Sequence, residues 1–462
     1  MDKNDIKEIF TLVPNLTGEE RLLIEKALNF AKEAHKDQKR NSGEPYFNHL
    51  FETAKNIAEL GMDGRAITAG FLHDILEDTH TKVETIEKEF GEEVRFMVEG
   101  VTKIGNLRYH GADKHNESLR KLLLATSEDI RVLIIKLCDR LHNMRTLEFV
   151  PKEKQYRIAR ETLEIYAPIA YRLGIRKLSR ELEDLSFPFV NKDGYEEIIS
   201  LSKEREGERL ESLERFRKSV AKELAKSGFI DFKIDYRVKG TYSLYKKYLK
   251  NRKDFDGIYD VLAMRITVKE QADCYRLLGI VHSSWRPVPG RIKDYIAFPK
   301  MNGYKSLHTT VFTGNGDIVE VQIRTEDMHR EAEYGVASHT LYKAEGKERK
   351  EVFYWIKNIS SGNLKDIKQE LLSEKIFVFT PKGDVVDLPI GASAIDFAYS
   401  IHSDIGNHIS GAKINSKMSS LDTVLKSGDI IEIITNKKAK PKYKWLEYIK
   451  TSLARKHIKN SN

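Results

Sequence analysis

The sequence predicts a multidomain protein with an all-α segment first, a mixed α/β segment in the middle and a small β-rich unit near the end. The chain has 462 residues, enough for about two to four domains. Hydrophobic residues make up 40% and charged residues 32%, a balance typical of globular domains and not of disordered, collagen-like or coiled-coil chains. No apolar stretch approaches the roughly 18 residues of a membrane span, and the N terminus does not resemble a signal peptide. We therefore expect a cytoplasmic protein without a membrane partner, and Cys138 and Cys274 suit a reducing compartment.

Hydrophobic periodicity separates the three parts. Through residues 1–190, apolar side chains recur at spacings of three and four, as at Leu23, Ala27 and Phe30, which predicts helices. Strand-like runs begin later, and helical stretches separate them; they cover 234–238, 257–268, 308–312 and 317–325. From residue 374, two short strand patterns, a short helix and a final strand pattern predict a β-grasp-like unit.

The helical segment contains a group of potential metal ligands. These are His49, the adjacent pair His73 and Asp74, and Asp139. Imidazoles and carboxylates without thiolates suit a divalent ion such as Mn, Fe or Zn. If one helix continues through 73–78, Glu77 and Asp78 lie one turn after the pair and on the same side. Because clustered carboxylates beside apolar neighbours are costly without a cation, we expect a metal site; the alternative is an isolated His-Asp pair at a helix end.

The middle segment combines many basic side chains with two isolated acids, Asp260 and Glu320. Transfer of a pyrophosphoryl group needs cations around the phosphate oxygens, a divalent ion and a base near the attacking hydroxyl. The sequence has no Walker A or GxGxxG string, so a P-loop or Rossmann site lacks support. Solvated basic residues at strand ends are the alternative.

Three strings of the helical segment narrow its interpretation: QKRNSGEPYFNHL at 38–50, HDILEDT at 73–79 and DRLHNMRT at 139–146. They resemble the all-α HD-type hydrolase domain of the RelA/SpoT homologues, which make and destroy the alarmone (p)ppGpp. The resemblance implies four ligands for Mn²⁺, namely His49, His73, Asp74 and Asp139. It implies that Glu77 and Asp78 orient and activate the attacking water. It also implies contacts to the guanine nucleotide by Arg40 and Asn143, with Ser42 and Thr146 as further candidates.

The middle segment is similar to the nucleotidyltransferase-like synthetase domain of the same family, through DYRVKGTYSLYKK at 235–247, GRIKDYIAFPKMNGYKSLHTTVF at 290–312 and EVQIRT at 320–325. The resemblance implies that Arg237 and Arg265 sandwich the ATP adenine. Phosphate-binding residues would be Lys239, Lys246, Lys293 and Lys300. Tyr304 would stack on the guanine of GDP or GTP, with Asn302 and His308 nearby. Asp260 would hold Mg²⁺, and Glu320 would act as base toward the 3′-hydroxyl and share the metal.

Some positions depart from the family pattern. Leu50 follows the first ligand where Pro is usual, and YRVKG at 236–240 stands where GRPKH is common, so Gly240 supplies no imidazole. Lys305 and Thr340 also differ from the usual Gln and Trp. In contrast, RIKD at 291–294 looks like the basic version found in bifunctional members. We therefore expect both activities in one chain.

The C-terminal unit resembles a TGS domain, which in long family members contacts uncharged tRNA on a stalled ribosome. His402 matches the position associated with that contact, although a single histidine is more often a packing or surface residue. The tail from Lys437 carries nine Lys or Arg against one Glu, and it interleaves Tyr443, Trp445 and Tyr448. Weak nucleic-acid binding and a simply solvated tail are both open for this segment.

The predicted division of the chain is a hydrolase domain at 1–150, a helical connector at 151–200, a synthetase domain at 201–345, a linker helix at 346–373, a TGS domain at 374–436 and a basic tail at 437–462. We expect ATP, GDP or GTP, and (p)ppGpp as substrates and products. Because simultaneous synthesis and hydrolysis would waste ATP, we also expect reciprocal coupling of the two sites through the helices at 150–230. Two other functions stay open: an HD nucleotide phosphohydrolase with a nucleotide-sensing middle domain, and a non-enzymatic ribosome- or tRNA-binding regulator.

Overall fold

A computed structural model describes residues 3–105, 129–255, 258, 262–300, 302–313, 317–337, 375–383 and 385–460. The chain divides into two compact units, Met1–Ser360 and Ser361–Asn462. The predicted linker helix at 346–373 and Asp260 lie outside the described residues. Among the described helices, none combines the length and the apolar character that a bilayer crossing requires.

The N-terminal part of the first unit is helical, as predicted. Its helices are α1 (Lys3–Leu12), α2 (Gly18–Ala34), α3 (Phe47–Glu59), α4 (Gly64–Leu72), α5 (Ile75–Asp78), α6 (Val83–Phe90), α7 (Glu92–Gly105) and α8 (Ile130–Arg145). Local sequence sets some of their starts: Thr17 forms a capping box with Glu20, and Asp63 accepts a hydrogen bond from the backbone N–H of Ala66. A Cβ at Gly70 would lie 2.5 Å from Ile57 Cδ1, so this glycine lets α3 and α4 pack closely.

A second group of helices joins this region to the sheet. It consists of α9 (Lys152–Glu161), a π-helical turn (Thr162–Tyr166), α10 (Ala167–Arg172), α11 (Arg176–Val190) and the long α12 (Lys192–Lys226). Gly174 has a φ of +76° at the turn between α10 and α11, a conformation that favours glycine. Helix α11 contacts both α8 and α13 (Thr241–Lys250), and it therefore lies between the helical region and the mixed domain.

The mixed domain is built on a five-stranded sheet with the order β1-β2-β5-β4-β3. The strands are β1 (Phe232–Val238), β2 (Leu262–Val268), β3 (Lys293–Asp294), β4 (Leu307–Phe312) and β5 (Ile318–Thr325). Strands β2 and β5 are parallel, and the other pairs are antiparallel. Helices α14 (Gln271–Ser284) and α15 (Glu326–Tyr334) complete the domain. The predicted runs at 234–238, 308–312 and 317–325 correspond to β1, β4 and β5, and the run at 257–268 corresponds to β2 over its described residues 262–268.

Alternation along the strands gives the sheet one apolar and one polar face. Met264, Val321 and Val311 belong to the buried core, which also contains apolar residues of α12 and α14. On the other face, Arg265 pairs in register with Gln322, and Gln322 pairs with His308. Paired residues point to the same side of a sheet, so the polar groups of three strands share one surface.

The second unit is a small mixed structure with two sheets. Strands β6 (Lys375–Phe379) and β7 (Val385–Pro389) form one sheet, and β8 (Ile409–Ile414), β9 (Lys417–Ser419) and β10 (Ile431–Thr435) form the other. A parallel bridge between Phe379 and Ile430 connects them. The helices are α16 (Ala394–Ile401), α17 (Ser403–Asn407) and α18 (Ser452–Asn460).

The described residues of the basic tail are folded, which argues against the simply solvated tail that was one of the two open alternatives. Trp445, Ile449 and Ile458 are buried in one core cluster with Tyr399 of α16. The buried carboxylate of Asp396 accepts hydrogen bonds from the backbone N–H groups of Lys450 and Thr451 and from the Thr451 hydroxyl. Because Trp445 packs inside the protein, its ring is not available for stacking on a base.

Two candidate catalytic sites

Four predicted ligands converge where α3, the end of α4 and α8 meet. His49 Nε2 lies 3.4 Å from Asp74 Oδ2 and 3.3 Å from Asp139 Oδ1. His73 Nε2 lies 3.1 Å from the same Asp74 oxygen and 3.8 Å from the same Asp139 oxygen. Ligand atoms of His49, His73 and Asp74 all lie within 4.8 Å of one another. Separations of this size are those expected of atoms that share one metal ion.

The chemistry of the cluster fits a divalent cation. The Nδ1 of His73 is 2.8 Å from the carbonyl oxygen of Gly70, so Nδ1 carries the proton and Nε2 faces the carboxylates. This Nε2 atom is buried and has no hydrogen-bond partner among the described residues. Burial disfavours charge on His73, but Asp74 and Asp139 outweigh burial and raise its pKa to about 10. The two carboxylates thus attract positive charge, which a metal ion would supply directly.

The helix considered for 73–78 is interrupted at His73 and Asp74, although the backbone N–H of Asp78 still donates to the carbonyl of Asp74 at 2.9 Å. Helix α4 ends at Leu72, a turn follows, and α5 is a separate single turn. Glu77 and Asp78 therefore follow the ligands after a break, and Asp78 is exposed. Burial, together with the nearby carboxylates, raises the pKa of Glu77 to about 7 although Lys136 opposes this shift. A carboxyl group with such a pKa can exchange protons near neutral pH.

The residues predicted to contact a guanine nucleotide lie beside the ligands. Arg40 Nη2 donates to Asn143 Oδ1 at 2.6 Å, and Asn143 Nδ2 donates to Asp139 Oδ1 at 2.5 Å. The Thr146 hydroxyl donates to a carbonyl of its own helix, that of His142. Ser42 is half-buried in the loop after Arg40, where its hydroxyl is 3.5 Å from the backbone nitrogen of Glu44.

Three further side chains contact this cluster and were not predicted as site residues. The Tyr46 hydroxyl donates to Asp74 Oδ2 at 2.7 Å, and Lys136 Nζ lies 2.7 Å from Asp139 Oδ2. His142 Nδ1 lies 2.8 Å from His49 Nδ1, and burial, His49 and Arg40 lower the pKa of His142 to about 3. The spacing of His142 and Lys136, each three residues from Asp139 on one helix, is the sequence signal that could have found them.

A second chain of polar contacts crosses the polar face of the sheet. The Tyr304 hydroxyl lies 2.8 Å from His308 Nε2, and His308 Nδ1 lies 3.1 Å from Glu320 Oε1. Gln322 Nε2 donates to the same Glu320 oxygen at 2.7 Å. Burial would raise the pKa of Glu320, but His308, Gln322 and Arg237 outweigh it and lower the pKa to about 2. Glu320 is therefore ionised, as a base or a metal ligand must be.

Arginines surround one acid on the same face. Glu333 lies 3.2 Å from Arg324 and 3.6 Å from Arg265. Burial, with Arg324 and Arg237 nearby, lowers the pKa of Arg265 to about 10. The Nε atoms of Arg265 and Arg324 are buried without a hydrogen-bond partner among the described residues. These unpaired guanidinium donors suit an anionic ligand. Arg324 was not among the site residues predicted from the sequence.

The predicted phosphate-binding lysines occupy different environments. Lys300 lies over the rings of Tyr295 and Tyr304, and burial, Arg176 and Lys293 lower its pKa to about 8. Lys293 is exposed on β3, and Lys239 is half-buried after β1. Lys246 pairs with Glu183 of α11 at 2.8 Å. The structure therefore groups Lys300 with Tyr304 and directs Lys246 toward the connector.

Helices α10 and α11 reach the synthetase-like site through Tyr171 and Asp184, respectively. Asn302 Nδ2 donates to the carbonyl of Tyr171 at 3.2 Å, and Asp184 accepts from the backbone N–H of Tyr242 at 2.9 Å. A Cβ at Gly240 would lie 2.8 Å from Arg180 Cγ and from Asp184 Oδ2. The glycine that replaces the usual His of the family pattern thus permits close packing of α11.

His402 lies on the surface of the second unit. Its Nδ1 accepts from the backbone N–H of Asp404 at 3.2 Å and caps α17. The imidazole is exposed, so it is accessible to a partner.

Three known domain families match the chain. The HD domain matches residues 27–176, the region found in RelA / SpoT proteins matches residues 236–347, and the TGS domain matches residues 376–435. Both polar clusters lie within the first two matches.

Several curated proteins are similar over nearly the whole chain. The guanosine-3′,5′-bis(diphosphate) 3′-pyrophosphohydrolase of Aquifex aeolicus is 45% identical over 469 aligned residues, covering 99% of this chain and 66% of the relative. The enzyme of the same name from Borreliella burgdorferi is 44% identical, covering 96% of this chain and 68% of the relative. The GTP pyrophosphokinase of Streptomyces coelicolor is 42% identical, covering 94% of this chain and 55% of the relative. The chain thus spans between 55% and 68% of the length of these three relatives. On this similarity and the order of its three domains, the chain belongs to the RelA/SpoT family.

Proposed function

We propose that the chain is a bifunctional alarmone enzyme of the cytoplasm. It would transfer pyrophosphate from ATP to the 3′-hydroxyl of GDP or GTP, and it would hydrolyse (p)ppGpp to GDP or GTP and pyrophosphate. The main support is the presence of two separate polar clusters, one around His49 and His73 and one around Tyr304 and Glu320. Among relatives that are more than 40% identical to this chain, one is named a (p)ppGpp 3′-pyrophosphohydrolase and another is named a GTP pyrophosphokinase.

For the hydrolase, we propose Mn²⁺ as the cation held by His49, His73, Asp74 and Asp139. When bound, a divalent cation supplies Lewis acidity to phosphate oxygens and to water. Glu77, with Asp78, would position the attacking water and take up its proton, a role that suits the raised pKa of Glu77. Arg40 and Asn143 would hold the guanine nucleotide beside these groups, with Ser42 and Thr146 at the edge of the site.

For the synthetase, we propose that the arginine-rich face of the sheet binds ATP. Arg237 and Arg265 would enclose the adenine, and Lys239, Lys246, Lys293 and Lys300 would contact phosphates. Tyr304 would stack on guanine, with Asn302 and His308 beside it. Glu320, ionised by its contacts with His308 and Gln322, would accept the proton of the 3′-hydroxyl and hold Mg²⁺ together with Asp260.

For the second unit, we propose contact with uncharged tRNA or ribosomal RNA. The support is the TGS match, the exposed imidazole of His402 and the excess of Lys and Arg beyond residue 437. The domain limits predicted from sequence are kept in this proposal, with residues 437–460 assigned to the folded C-terminal unit.

Two separate reactions test the proposed activities. The protein is incubated with ATP, GDP and Mg²⁺, and in parallel with ppGpp and Mn²⁺. Asp74→Ala should abolish hydrolysis and leave synthesis, whereas Glu320→Ala should abolish synthesis and leave hydrolysis. The two variants are matched controls for each other, because each keeps the other site intact.

The other outcomes identify the alternatives. Hydrolysis without any ATP-dependent product would identify an HD phosphohydrolase with a nucleotide-sensing middle domain. Binding to tRNA that persists in both variants, with no reaction in either direction, would identify a non-enzymatic regulator.

A further inference from the structure

Hydrogen bonds join the predicted nucleotide contact Arg40 to two predicted metal ligands by separate routes. One route runs from Arg40 Nη2 to Asn143 Oδ1 at 2.6 Å and from Asn143 Nδ2 to Asp139 Oδ1 at 2.5 Å. The other runs from Arg40 Nη1 to His142 Nδ1 at 3.2 Å and from there to His49 Nδ1 at 2.8 Å. Arg40 thus contacts neighbouring residues on α8, and each of them contacts a different metal ligand.

Donor and acceptor roles along the second route are determined by chemistry. A guanidinium has only donors, so His142 Nδ1 accepts from Arg40. His49 presents Nε2 to the two carboxylates, which leaves its Nδ1–H as a donor to His142. The single lone pair of His142 Nδ1 is then shared between this contact at 2.8 Å and the longer one from Arg40 at 3.2 Å. His142 is buried, and its unprotonated Nδ1 therefore fixes the tautomer and the ring orientation of His49.

We propose that His142 is a positioning residue that holds His49 for the cation and, together with Asn143, couples guanine-nucleotide binding at Arg40 to cation binding. This inference rests on the proposed hydrolase function. It assigns a role to His142, which is not itself a proposed metal ligand. His142 contacts the ligand His49 at Nδ1, the ring nitrogen that faces away from the carboxylates.

The expected size of the effect follows from similar contacts in other metal sites. Loss of a hydrogen-bond partner behind a histidine ligand costs about 10- to 100-fold in metal affinity. Binding at two coupled sites is reciprocal, and coupling changes an affinity by roughly 5- to 150-fold. A guanine compound that orders Arg40 should therefore tighten cation binding, even if it carries no phosphate that could reach the cation.

The test measures Mn²⁺ binding to the full chain by electron paramagnetic resonance, with and without saturating guanosine. Guanosine lacks phosphates, so its effect on Mn²⁺ must pass through the protein. All proteins carry Glu320→Ala, which removes a predicted cation ligand from the other site. Three substitutions are compared with the parent: His142→Asn, which keeps an oxygen near the position of Nδ1, His142→Gln, which moves the oxygen away, and His142→Leu, which removes the acceptor.

We expect the Asn variant to bind Mn²⁺ within about threefold of the parent and the Gln and Leu variants to bind it about 10- to 100-fold more weakly. Guanosine should tighten Mn²⁺ binding by about fivefold or more in the parent and the Asn variant only. Equal Mn²⁺ affinity in all four proteins would overturn the role of His142. If the Leu variant unfolds at a much lower temperature than the parent, its Mn²⁺ affinity is not used. The role of His142 is then decided by comparing the Mn²⁺ affinities of the Asn and Gln variants. A parent that binds no Mn²⁺ would instead contradict the proposed metal site, and the inference with it.

Discussion

The guanidinium of Arg176 lies 5.1 Å from the centroid of the Tyr304 ring. Arg176 begins α11, and its guanidinium also lies 5.2 Å from the ring of Tyr171. Tyr304 is only 5% exposed. Arg176 thus lies over the ring that we expect to stack on guanine, together with Lys300 and Arg324, and the base and the Arg176 guanidinium would compete for the ring.

Removal of this cover should favour nucleotide binding. In an Asp74→Ala background, we expect Arg176→Ala to lower the KM for GDP in the synthetase reaction by about two- to fivefold, since a partly exposed cation–π contact contributes about 0.5–1 kcal/mol. The measurement is the rate of ATP-dependent product formation against GDP concentration. Arg160→Ala is the matched control, because Arg160 is an exposed connector residue that pairs with Glu164 of the same region. A KM that stays equal to that of the control would show that Arg176 does not compete with GDP.

The same helix also contacts the hydrolase domain, which gives reciprocal coupling a physical path. Lys177 pairs with Glu59 at 2.7 Å, and Glu181 pairs with Arg145 at 2.6 Å. In Asp74→Ala protein, we expect (p)ppGpp to change the dissociation constant of a non-hydrolysable ATP analogue by roughly fivefold or more. In the double variant Lys177→Ala, Glu181→Ala, the dissociation constants with and without (p)ppGpp should be nearly equal.

A surface pair outside the connector provides the control for coupling. Lys26 pairs with Glu89 at 2.9 Å, so Lys26→Ala removes an ion pair without touching α11. If (p)ppGpp changes the dissociation constant of the ATP analogue equally in the double variant and in the parent, these two ion pairs do not carry the coupling. If (p)ppGpp has no effect on this constant in the parent, the two sites are not coupled.

The sheet and its polar face could be predicted from sequence because strand periodicity is local. In β2, Met264, Arg265 and Ile266 alternate between the core and the polar face, as a period of two requires. Residue type makes His49, His73, Asp74 and Asp139 potential ligands, and the resemblance of the surrounding strings to the family implies that all four hold one ion. Their separation along the chain gives no distance, and the structure supplies the contacts of 3.1 to 3.8 Å between imidazoles and carboxylates.

Contacts between elements could not be predicted in this way. His142 reaches His49 because of how α8 crosses α3, and Arg176 reaches Tyr304 because of how α11 meets the sheet. Neither crossing is encoded in a local pattern. In the sequence Trp445 stands among charged residues, yet its burial depends on a complementary apolar surface on α16.

The lowered pKa of Lys300 predicts a pH dependence of ATP binding. Burial, Arg176 and Lys293 lower this pKa to about 8, so the fraction of Lys300 that carries a proton falls as the pH rises above that value. Because only the cation attracts phosphate, we expect ATP affinity to decrease between about pH 7.5 and 9.5. Isothermal titration calorimetry across this range provides the measurement.

An arginine at the same position should remove the effect, since a guanidinium keeps its charge throughout this range. Lys300→Arg is therefore expected to bind ATP with a much flatter pH profile, while Lys293→Arg should keep the slope of the parent. Equal slopes in the parent and in Lys300→Arg would assign the pH dependence to another group.

The carboxylate of Asp396 should anchor the C-terminal helix to the second unit. It is fully buried and accepts hydrogen bonds from the backbone N–H groups of Ser393, Lys450 and Thr451. Asp396→Ala would leave the buried N–H of Ser393 and the partly buried N–H groups of Lys450 and Thr451 without this acceptor, at a cost of about 1–3 kcal/mol in the free energy of unfolding of this unit. Hydrogen exchange of the backbone amides in 445–458 should then be faster by about tenfold, since 1.4 kcal/mol corresponds to a factor of ten. Asp404→Asn, at an exposed carboxylate on α17, should leave exchange unchanged, and equal protection of 445–458 in both variants would show that apolar packing of Trp445 alone holds the segment in place.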